Sequence, residues 1–553
     1  MRITTALTIL AESLIISSPM KSRYFYLALA LVLIASLALP GCRPKERPRN
    51  FILVTLDTLR ADHVNAISPG KALTPNLDFL AGQGTLYKNC YSLIPITLPS
   101  HASIFYSQPP HLLKNYNNGQ ILHPNKDLPS LANLFEQNGF TTASFVSLGV
   151  VRAPFGLNKG FGTYVDEFPQ GRWYLHAGEV NAKVFPWLES HKDRPFFLWV
   201  HYSDPHEPYT PPGAPKDLDI YVNDKHIGSY CLSNYTINTA ELPLKTGINE
   251  VRFEVKNDND EFPYQARLEL FKITSPDESG LKIEHYRDWY IRQEDGTYFF
   301  KRTASIIITN SGKPRRAVMT FQGKLIVPIE TTTRQNYRRE VEYMDGEIGK
   351  LWAKLKELGL FENTAILAVG DHGEGLGEYN TEDGIRYVGH IHFLQNVFMK
   401  VPLIIYDPAD PKRPAVREEF VTLLDVGPSI ADIMGFKSPA DYQGRNLRKL
   451  PKGEPLEIFE ETYKPEAGRD KFGILAFPWH LIFTPENQLD ELYNLMKDPE
   501  EYDNLVLKGS LPPEVIFLKQ KLEAKTREIL KSKEAVKLNK KDEDMLRSLG
   551  YLK

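Results

Sequence analysis

Cysteine is nearly absent: Cys42, Cys90 and Cys231 are the three in 553 residues. Three thiols cannot build a disulfide scaffold or a cysteine-rich zinc site. Neither sign of charge dominates, since Lys+Arg 66 stands against Asp+Glu 69 for a net charge of −3. A near-neutral chain carries no global basic field to recruit nucleic acid. Internal repeats are lacking too. What remains is ordinary globular composition, 42% hydrophobic and 24% charged, which excludes a wholly disordered or fibrous chain. At about 150 residues per domain the length predicts three or four domains, or one large α/β domain with insertions. Function has to be read from local chemistry.

The first 41 residues read as an address. Met20-Lys-Ser-Arg23 precedes 16 uncharged residues, Tyr24–Leu39, and then Pro40-Gly41-Cys42. A basic start, a short apolar run and small residues make a signal peptide, and the run is shorter than the roughly 20 residues a membrane span needs. Leu39-Pro-Gly-Cys42 resembles a bacterial lipoprotein signal, with Cys42 lipidated and Met20 the real start. That implies a membrane partner through the lipid and a place in the bacterial cell envelope. Arg43 carries no inner-membrane retention cue, which favours the outer membrane. Residues 42–50 read as the anchor and a solvated tether.

From Phe51 the pattern is α/β. Phe51–Leu56 is a continuous apolar run, expected of a strand buried on both faces, and similar runs lie at Phe196–Val200, Ala365–Val369 and Val401–Tyr406. Across Gln335–Gly359 the apolar residues Tyr337, Val341, Met344, Ile348, Leu351, Leu355 and Leu358 step by 4, 3, 4, 3, 4, 3, and Gly359 is a natural stop. Three of the strands end in potential ligands, Asp57, His201 and Asp371-His372, where open α/β sheets bind. Residues 213–330 instead alternate between polar and apolar and break at Asn/Asp/Gly turns, so an inserted β-sandwich domain is expected. Tyr221–Gly228 and Leu244–Val251 resemble galactose-binding-like jelly rolls, leaving open whether this domain binds sugar or only walls the site. Residues 451–553 read as a small α+β subdomain, with a charged helix pattern at Leu518–Lys537. Cys90 and Cys231 fall in different domains, so no essential disulfide is expected between them.

The polar residues gain meaning as a set. Thr55-Leu-Asp-Thr-Leu-Arg-Ala-Asp-His63, Thr97-Leu-Pro-Ser-His-Ala-Ser103, Phe197-Leu-Trp-Val-His-Tyr-Ser-Asp-Pro-His206, Tyr343-Met-Asp345 and Asp371-His-Gly-Glu374 occur in this order, followed by Glu491–Leu495 and the terminal Leu546–Leu552. Together they resemble the sulfatase family of the alkaline phosphatase superfamily. The resemblance implies a mixed sheet sandwiched by helices across 51–212 and 331–450. It also implies hydrolysis of an anionic ester, on a glycan or a lipid, with a divalent metal. Asp57, Asp371 and His372 would be the metal ligands, with Thr97 completing the site as nucleophile. Two carboxylates, an imidazole and a hydroxyl suit Zn²⁺ or Mn²⁺ better than Mg²⁺ or Ca²⁺. His206 and His392 would bind the anion or protonate the leaving group. The spacing before Val401 favours His392 over His390, which is kept as substrate-binding together with His101 and Arg60. Arg60 lies one turn past Asp57 and either faces the anion or makes an ion pair.

Departures from the pattern narrow the chemistry. Sulfatases place Cys or Ser, oxidised to formylglycine, where this chain has Thr97, and arginine where it has His101. Oxidising threonine would give a ketone, so the formylglycine aldehyde cannot form. Asp371-His372 looks like phosphoester-cleaving and phosphoethanolamine-transferring relatives that use threonine directly. The expectation is a phosphoester hydrolase or transferase working through Thr97. The alternatives are a sulfate-ester hydrolase without formylglycine and a non-catalytic binding lipoprotein.

Overall fold

The computed structural model of the chain describes residues 47–533, apart from 126, 170–171, 208, 210–217, 231, 233–236, 256–264, 276–279, 293–296, 327–331, 382–383, 385, 464–468 and 510. The signal peptide, Cys42 and most of the tether therefore lie outside the described residues, as does Cys231. The tether is shorter than expected. Arg49 already donates its backbone N–H to Asn363 (2.8 Å), and the buried Asn50 is the first residue of a strand. Cys90 is a buried free thiol. Among the described residues no helix is long and apolar enough to cross a membrane.

The first strands are β1 (Asn50–Leu56), β2 (Thr85–Tyr91), β3 (Thr141–Phe145), β4 (Thr163–Val165) and β5 (Phe196–Tyr202). Eight more, β6 to β13, fill Leu218–Val222, Lys225–Tyr230, Asn238–Leu244, Gly247–Val255, Gln265–Thr274, Leu281–Arg292, Thr297–Asn310 and Arg315–Ile326. Then come β14 (Thr364–Gly370), the hairpin β15 (Gly375–Asn380) and β16 (Arg386–Gly389), β17 (Lys400–Tyr406) and β18 (Ala415–Thr422). The main sheet runs β18-β2-β17-β14-β1-β5-β3-β4. Its centre, β14-β1-β5-β3, is parallel, whereas β17 is antiparallel to both β14 and β2. The apolar run at 401–406 thus marks a buried strand but not a parallel one.

Alternation along the strands sorts the core into two layers. Phe51, Leu53, Phe197, Trp199 and Leu367 face helices α2 (Thr97–Tyr106), α3 (Leu131–Gln137) and α6 (Val426–Met434). Ile52, Val54, Leu198, Val200 and Ile366 face α1 (Pro75–Gln83), α4 (Ala177–His191) and α5 (Thr332–Glu357). Helix α5 is the one read from the periodicity. Its residues Tyr337, Val341, Met344, Ile348, Leu351 and Leu355 are all fully buried, each worth about 1.5–3 kcal/mol of transfer free energy. Gly359, at φ +67°, turns the chain out of the helix. Asp345 on α5 accepts from the backbone N–H of Asn76 (3.0 Å) and Leu77 (2.8 Å), locking α1 against α5.

The residues from 218 to 326 described in the structure are strands and turns around their own apolar core, in which Phe253, Phe300, Ile306 and Met319 are fully buried. Hydrogen bonding is continuous through this unit because the long β12 pairs with β9 near its C-terminal end and with β10 near its start. Four antiparallel strands, β19 (Glu457–Thr462), β20 (Lys471–Ala476), β21 (Trp479–Thr484) and β22 (Leu489–Asn494), and helix α7 (Pro513–Lys533) complete the described chain. They share a core with Ile94 and Ile96, the residues leading into α2. The C-terminal sheet therefore braces the segment that delivers Thr97.

Candidate active site

Register brings the carboxylates together. Parallel pairing sets Leu56 beside Gly370, so the next residues, Asp57 and Asp371, leave the sheet side by side. Ligand-type atoms of Asp57, Asp371 and His372, all buried, lie within 4.8 Å of one another. His372 Nε2 is 3.3 Å from Asp371 Oδ2 and 4.0 Å from Asp57 Oδ1. The Nδ1 side of the same ring is 3.0 Å from the Gly373 carbonyl, which assigns the proton to Nδ1 and turns the Nε2 lone pair to the carboxylates. Asp57 Oδ1 and Asp371 Oδ2 are buried without a hydrogen-bond partner. Bare carboxylate oxygens in a dry interior are costly, and a cation between them removes that cost. The donor set fits a divalent metal.

The other oxygens are tied down. Asp371 Oδ1 accepts from the backbone N–H of Thr58 (3.0 Å) and His372 (2.7 Å), and Asp57 Oδ2 is 3.2 Å from His201 Nε2. Burial alone would raise Asp57. The hydrogen bond from His201 and the charges of His206, His201 and His372 outweigh it and hold the group well below the usual carboxylate range. Burial, with the Asp57 charge added, pushes Asp371 far up. The two carboxylates cannot both ionise comfortably without a cation.

The loops that carry them are strained and clamped. Thr58 sits at φ +57°, costly for a β-branched residue. The Tyr337 hydroxyl on α5 compensates, donating to the Thr58 carbonyl (2.7 Å) while accepting from Arg60 N–H (3.0 Å). Gly373 has no room for a side chain, since a Cβ there would lie 2.0 Å from the Val397 carbonyl.

Thr97 is the first residue of α2, and the N-cap position before it is Ile96, which has no side-chain oxygen to cap with. Thr97 Oγ1 lies 3.2 Å from His372 Nε2. Asn118 accepts from Leu98 N–H (2.9 Å) and the Ser100 hydroxyl donates to the Asp371 carbonyl (2.8 Å), fixing the helix end over the carboxylates.

Among the remaining expected residues the structure makes three corrections. His390, not His392, joins the site: its ring centroid is 4.5 Å from that of His372 and 5.0 Å from that of His206. His392 packs instead on Tyr387 (4.9 Å). Ile391 between them is at φ +95°, so the chain reverses there and spacing could not tell the two apart. Arg60 does not face an anion. Its guanidinium is buried and spent on Asp62 (2.8 and 2.9 Å) and Glu378 (2.7 Å). His101 lines the floor rather than the substrate space, with Nδ1 2.8 Å from the Thr97 carbonyl and Nε2 3.0 Å from Thr55 Oγ1. Burial and the neighbouring His201 push its pKa down to about 3, so it carries no charge to offer.

His206 lies beside His390 at the site, its Nδ1 2.6 Å from the Glu207 carbonyl. Burial, then the charge of His390, lowers its pKa. His390 moves the other way. Burial opposes the charged ring, but the charge and hydrogen bond of Glu374 prevail. His201, read as a strand-end ligand, lies inside β5 and orients Asp57 instead. Glu374 and Tyr209 were visible only as neighbours of the motif histidines, and nothing in their spacing set them apart. A second convergence, His176, Asp204 and Glu340, lies past β5. There Asp204 accepts from Ala177 N–H (3.0 Å), tying the start of α4 to the loop that holds His206.

Comparison with known proteins bears on the family and the fold. The family description Sulfatase matches residues 49–436, and N-sulphoglucosamine sulphohydrolase, C-terminal, matches 390–528. An N-acetylglucosamine-6-O-sulfatase of Bacteroides thetaiotaomicron is 23% identical over 90% of this chain and 89% of its own. An arylsulfatase of Clostridium perfringens is also 23% identical, over 85% and 93%. A chain solved in complex with its substrate D-glucosamine-2-N,6-O-disulfate superimposes with a TM-score of 0.56 at 18% identity, covering 90% of this chain and 100% of that one. The phosphonate monoester hydrolase of Agrobacterium radiobacter does so with a TM-score of 0.55 at 16% identity, covering 90% and 99%.

Proposed function

The chain belongs to the sulfatase family and has its alkaline phosphatase-like fold, and from that premise we propose that it is a metal-dependent hydrolase of phosphate or sulfate esters, working through a covalent ester on Thr97. The observation that carries the reading is Thr97 Oγ1 at 3.2 Å from His372 Nε2, beside two bare carboxylate oxygens. Asp57, Asp371 and His372 hold the metal, with Zn²⁺ or Mn²⁺ favoured by the mixed nitrogen and oxygen donors. When bound, such an ion lowers the pKa of a neighbouring hydroxyl and neutralises charge on the ester oxygens. Thr97 Oγ1 forms a bond to phosphorus or sulfur as the bridging bond to the leaving oxygen breaks. The leaving oxygen gains a proton from His206 or His390, and the proton lost by Thr97 balances it. Water then cleaves the Thr97 ester and restores the hydroxyl.

Phosphoesters are the favoured substrates, because threonine is a direct nucleophile and cannot yield the formylglycine aldehyde. Hydrolase and transferase differ only in which hydroxyl cleaves the Thr97 ester. Sulfate esters form the second reading, favoured by the two sulfatases at 23% identity. The Leu39-Pro-Gly-Cys42 segment would anchor the enzyme by lipid to the bacterial envelope, and Cys42→Ala would then move it out of the membrane fraction. The decisive test of function is metal analysis of the purified chain after Cys42, followed by paired aryl phosphate and aryl sulfate assays. We expect one zinc or manganese ion and faster phosphate release. Faster sulfate release selects the second reading, and a metal-free protein that cleaves neither overturns both.

A further inference from the structure

Glu374 closes the segment Asp371-His-Gly-Glu374 and is buried. Each carboxylate oxygen meets one ring. Oε2 is 3.0 Å from His390 Nδ1, and Oε1 accepts from the Tyr209 hydroxyl at 2.9 Å. The backbone is pinned on both sides, its N–H donating to the Val397 carbonyl (3.1 Å) and its carbonyl accepting from Arg60 Nη1 (3.1 Å). The carboxylate therefore has one place to be. His390 follows directly on β16, its carbonyl accepting from the Tyr387 hydroxyl and the next carbonyl, that of Ile391, from Thr462 Oγ1, so the backbone is tied but the ring is not oriented by it. Gly389 at φ +117° and Ile391 at φ +95° flank His390, both outside ordinary strand or helix conformations. Ring contacts with His372 and His206 limit where the imidazole lies, but they do not choose which nitrogen faces the substrate. A hydrogen bond at Nδ1 makes that choice.

We propose that Glu374 is a positioning residue that fixes the His390 ring with Nε2 toward the ester, and that Tyr209 steadies the carboxylate from the other side. The proposal rests on the reading of the site as a hydrolase centre with His390 facing substrate. A carboxylate suits the task because both its oxygens accept, one for each donor. Glutamine keeps one acceptor and can hold His390 only if Tyr209 turns its hydroxyl round. Alanine holds neither ring.

The test combines turnover with a direct view of the ring, on zinc-loaded protein. In ¹⁵N-histidine-labelled protein the His390 Nδ1–H resonance is assigned by its loss in His390→Gln. We expect it to vanish in Glu374→Ala and to persist, shifted, in Glu374→Gln. On an aryl ester Glu374→Ala should lower kcat by about 10- to 100-fold, with KM moving less and Glu374→Gln falling between. Tyr209→Phe should lose only a few-fold. The double variant Glu374→Ala/His390→Gln should be no slower than His390→Gln alone, because Glu374 acts through that ring. Losses that multiply in the double variant overturn the proposal, as does an unchanged His390 resonance in Glu374→Ala. A wild-type protein that cleaves neither aryl phosphate nor aryl sulfate while Glu374→Ala still loses the resonance overturns the hydrolase reading and upholds the hold on His390.

Discussion

Among the buried groups of histidine and carboxylate in the described residues, two solve the same electrostatic problem in opposite ways. In the C-terminal sheet, His480 lies between Glu501 (Nδ1 to Oε1, 2.5 Å) and Glu460 (Nε2 to Oε2, 2.9 Å). Both ring nitrogens are used, and one positive charge answers the acids around it. Burial opposes a charged ring, yet the two carboxylates push the His480 pKa up to about 10. Glu460 is raised as well, by burial above all. The shared proton is best placed on the imidazole, which is flanked on two sides. Glu501 also accepts from Asn396 N–H, so the cluster staples the last sheet to the helical turn Asn396–Met399. Around Asp57, Asp371 and His372 the arithmetic is reversed. His201 serves only Asp57 Oδ2, His372 beside both acids has its proton turned to Gly373, and one oxygen of each acid is left bare. Glu460 Oε1 also lacks a hydrogen-bond partner, so what separates the clusters is charge: the first holds its own cation in His480, and the second, held rigid without one, is built to take a cation.

The contrast can be broken most severely at Thr97. Thr97→Ala should lose turnover by at least about 1,000-fold while keeping the metal, and Thr97→Ser should retain a substantial part. Equal rates in wild type and Thr97→Ala would remove the nucleophile. Asp57→Ala, Asp371→Ala and His372→Ala should each strip the metal from a folded chain, and full occupancy in any of them would strike that residue from the site.

Stability separates the clusters next. His480→Gln leaves two buried glutamates facing no cation and should cost about 3–5 kcal/mol in denaturant unfolding, with turnover per folded molecule unchanged. Asp371→Asn in metal-free protein should do the reverse, leaving the melting temperature equal or higher, because burial and the Asp57 charge already hold Asp371 in its neutral form and the amide matches that form. A large loss there would mean that the two clusters are alike.

The pH dependence follows from the same pairing. A histidine whose folded pKa is about 10 against about 6.5 unfolded contributes stability that is complete below pH 6.5 and lost as pH rises toward 10. The melting temperature should thus fall between pH 7 and pH 10, and more steeply in wild type than in His480→Gln. Parallel curves would refute the imidazolium. The smallest effect is expected at His392, whose ring packs on Tyr387: His392→Gln should change kcat/KM by less than about two-fold, as a surface substitution does.

Much of this arrangement was legible in the chain itself. The strand at Phe51 and the helix at Tyr337–Leu355 follow from local periodicity; the rule that open sheets bind at strand ends pointed to Asp57, His201 and Asp371-His372 alike, and the family resemblance, not spacing, singled out Asp57, Asp371 and His372 as the expected ligands. Arg60 was not legible, because what decides its role is Glu378, 318 positions away, together with the nearby Asp62. His101 misled for a related reason. The residue type suggests an anion ligand, but only the folded floor shows Thr55 and the Thr97 carbonyl occupying both nitrogens. The choice between His390 and His392 turned on one left-handed residue, Ile391, which no periodicity announces in a β-branched side chain.

Turnover at this site passes through a covalent bond at Thr97. The most direct measurement is mass spectrometry of the metal-loaded protein, acid-quenched during turnover of an aryl phosphate and, separately, of an aryl sulfate. A phosphoryl adduct on the peptide containing Thr97, absent in Thr97→Ala, is the predicted result, and a sulfuryl adduct in its place would retain the nucleophile and change the substrate. An unmodified Thr97 peptide in every quench of an enzyme that is turning over would contradict it.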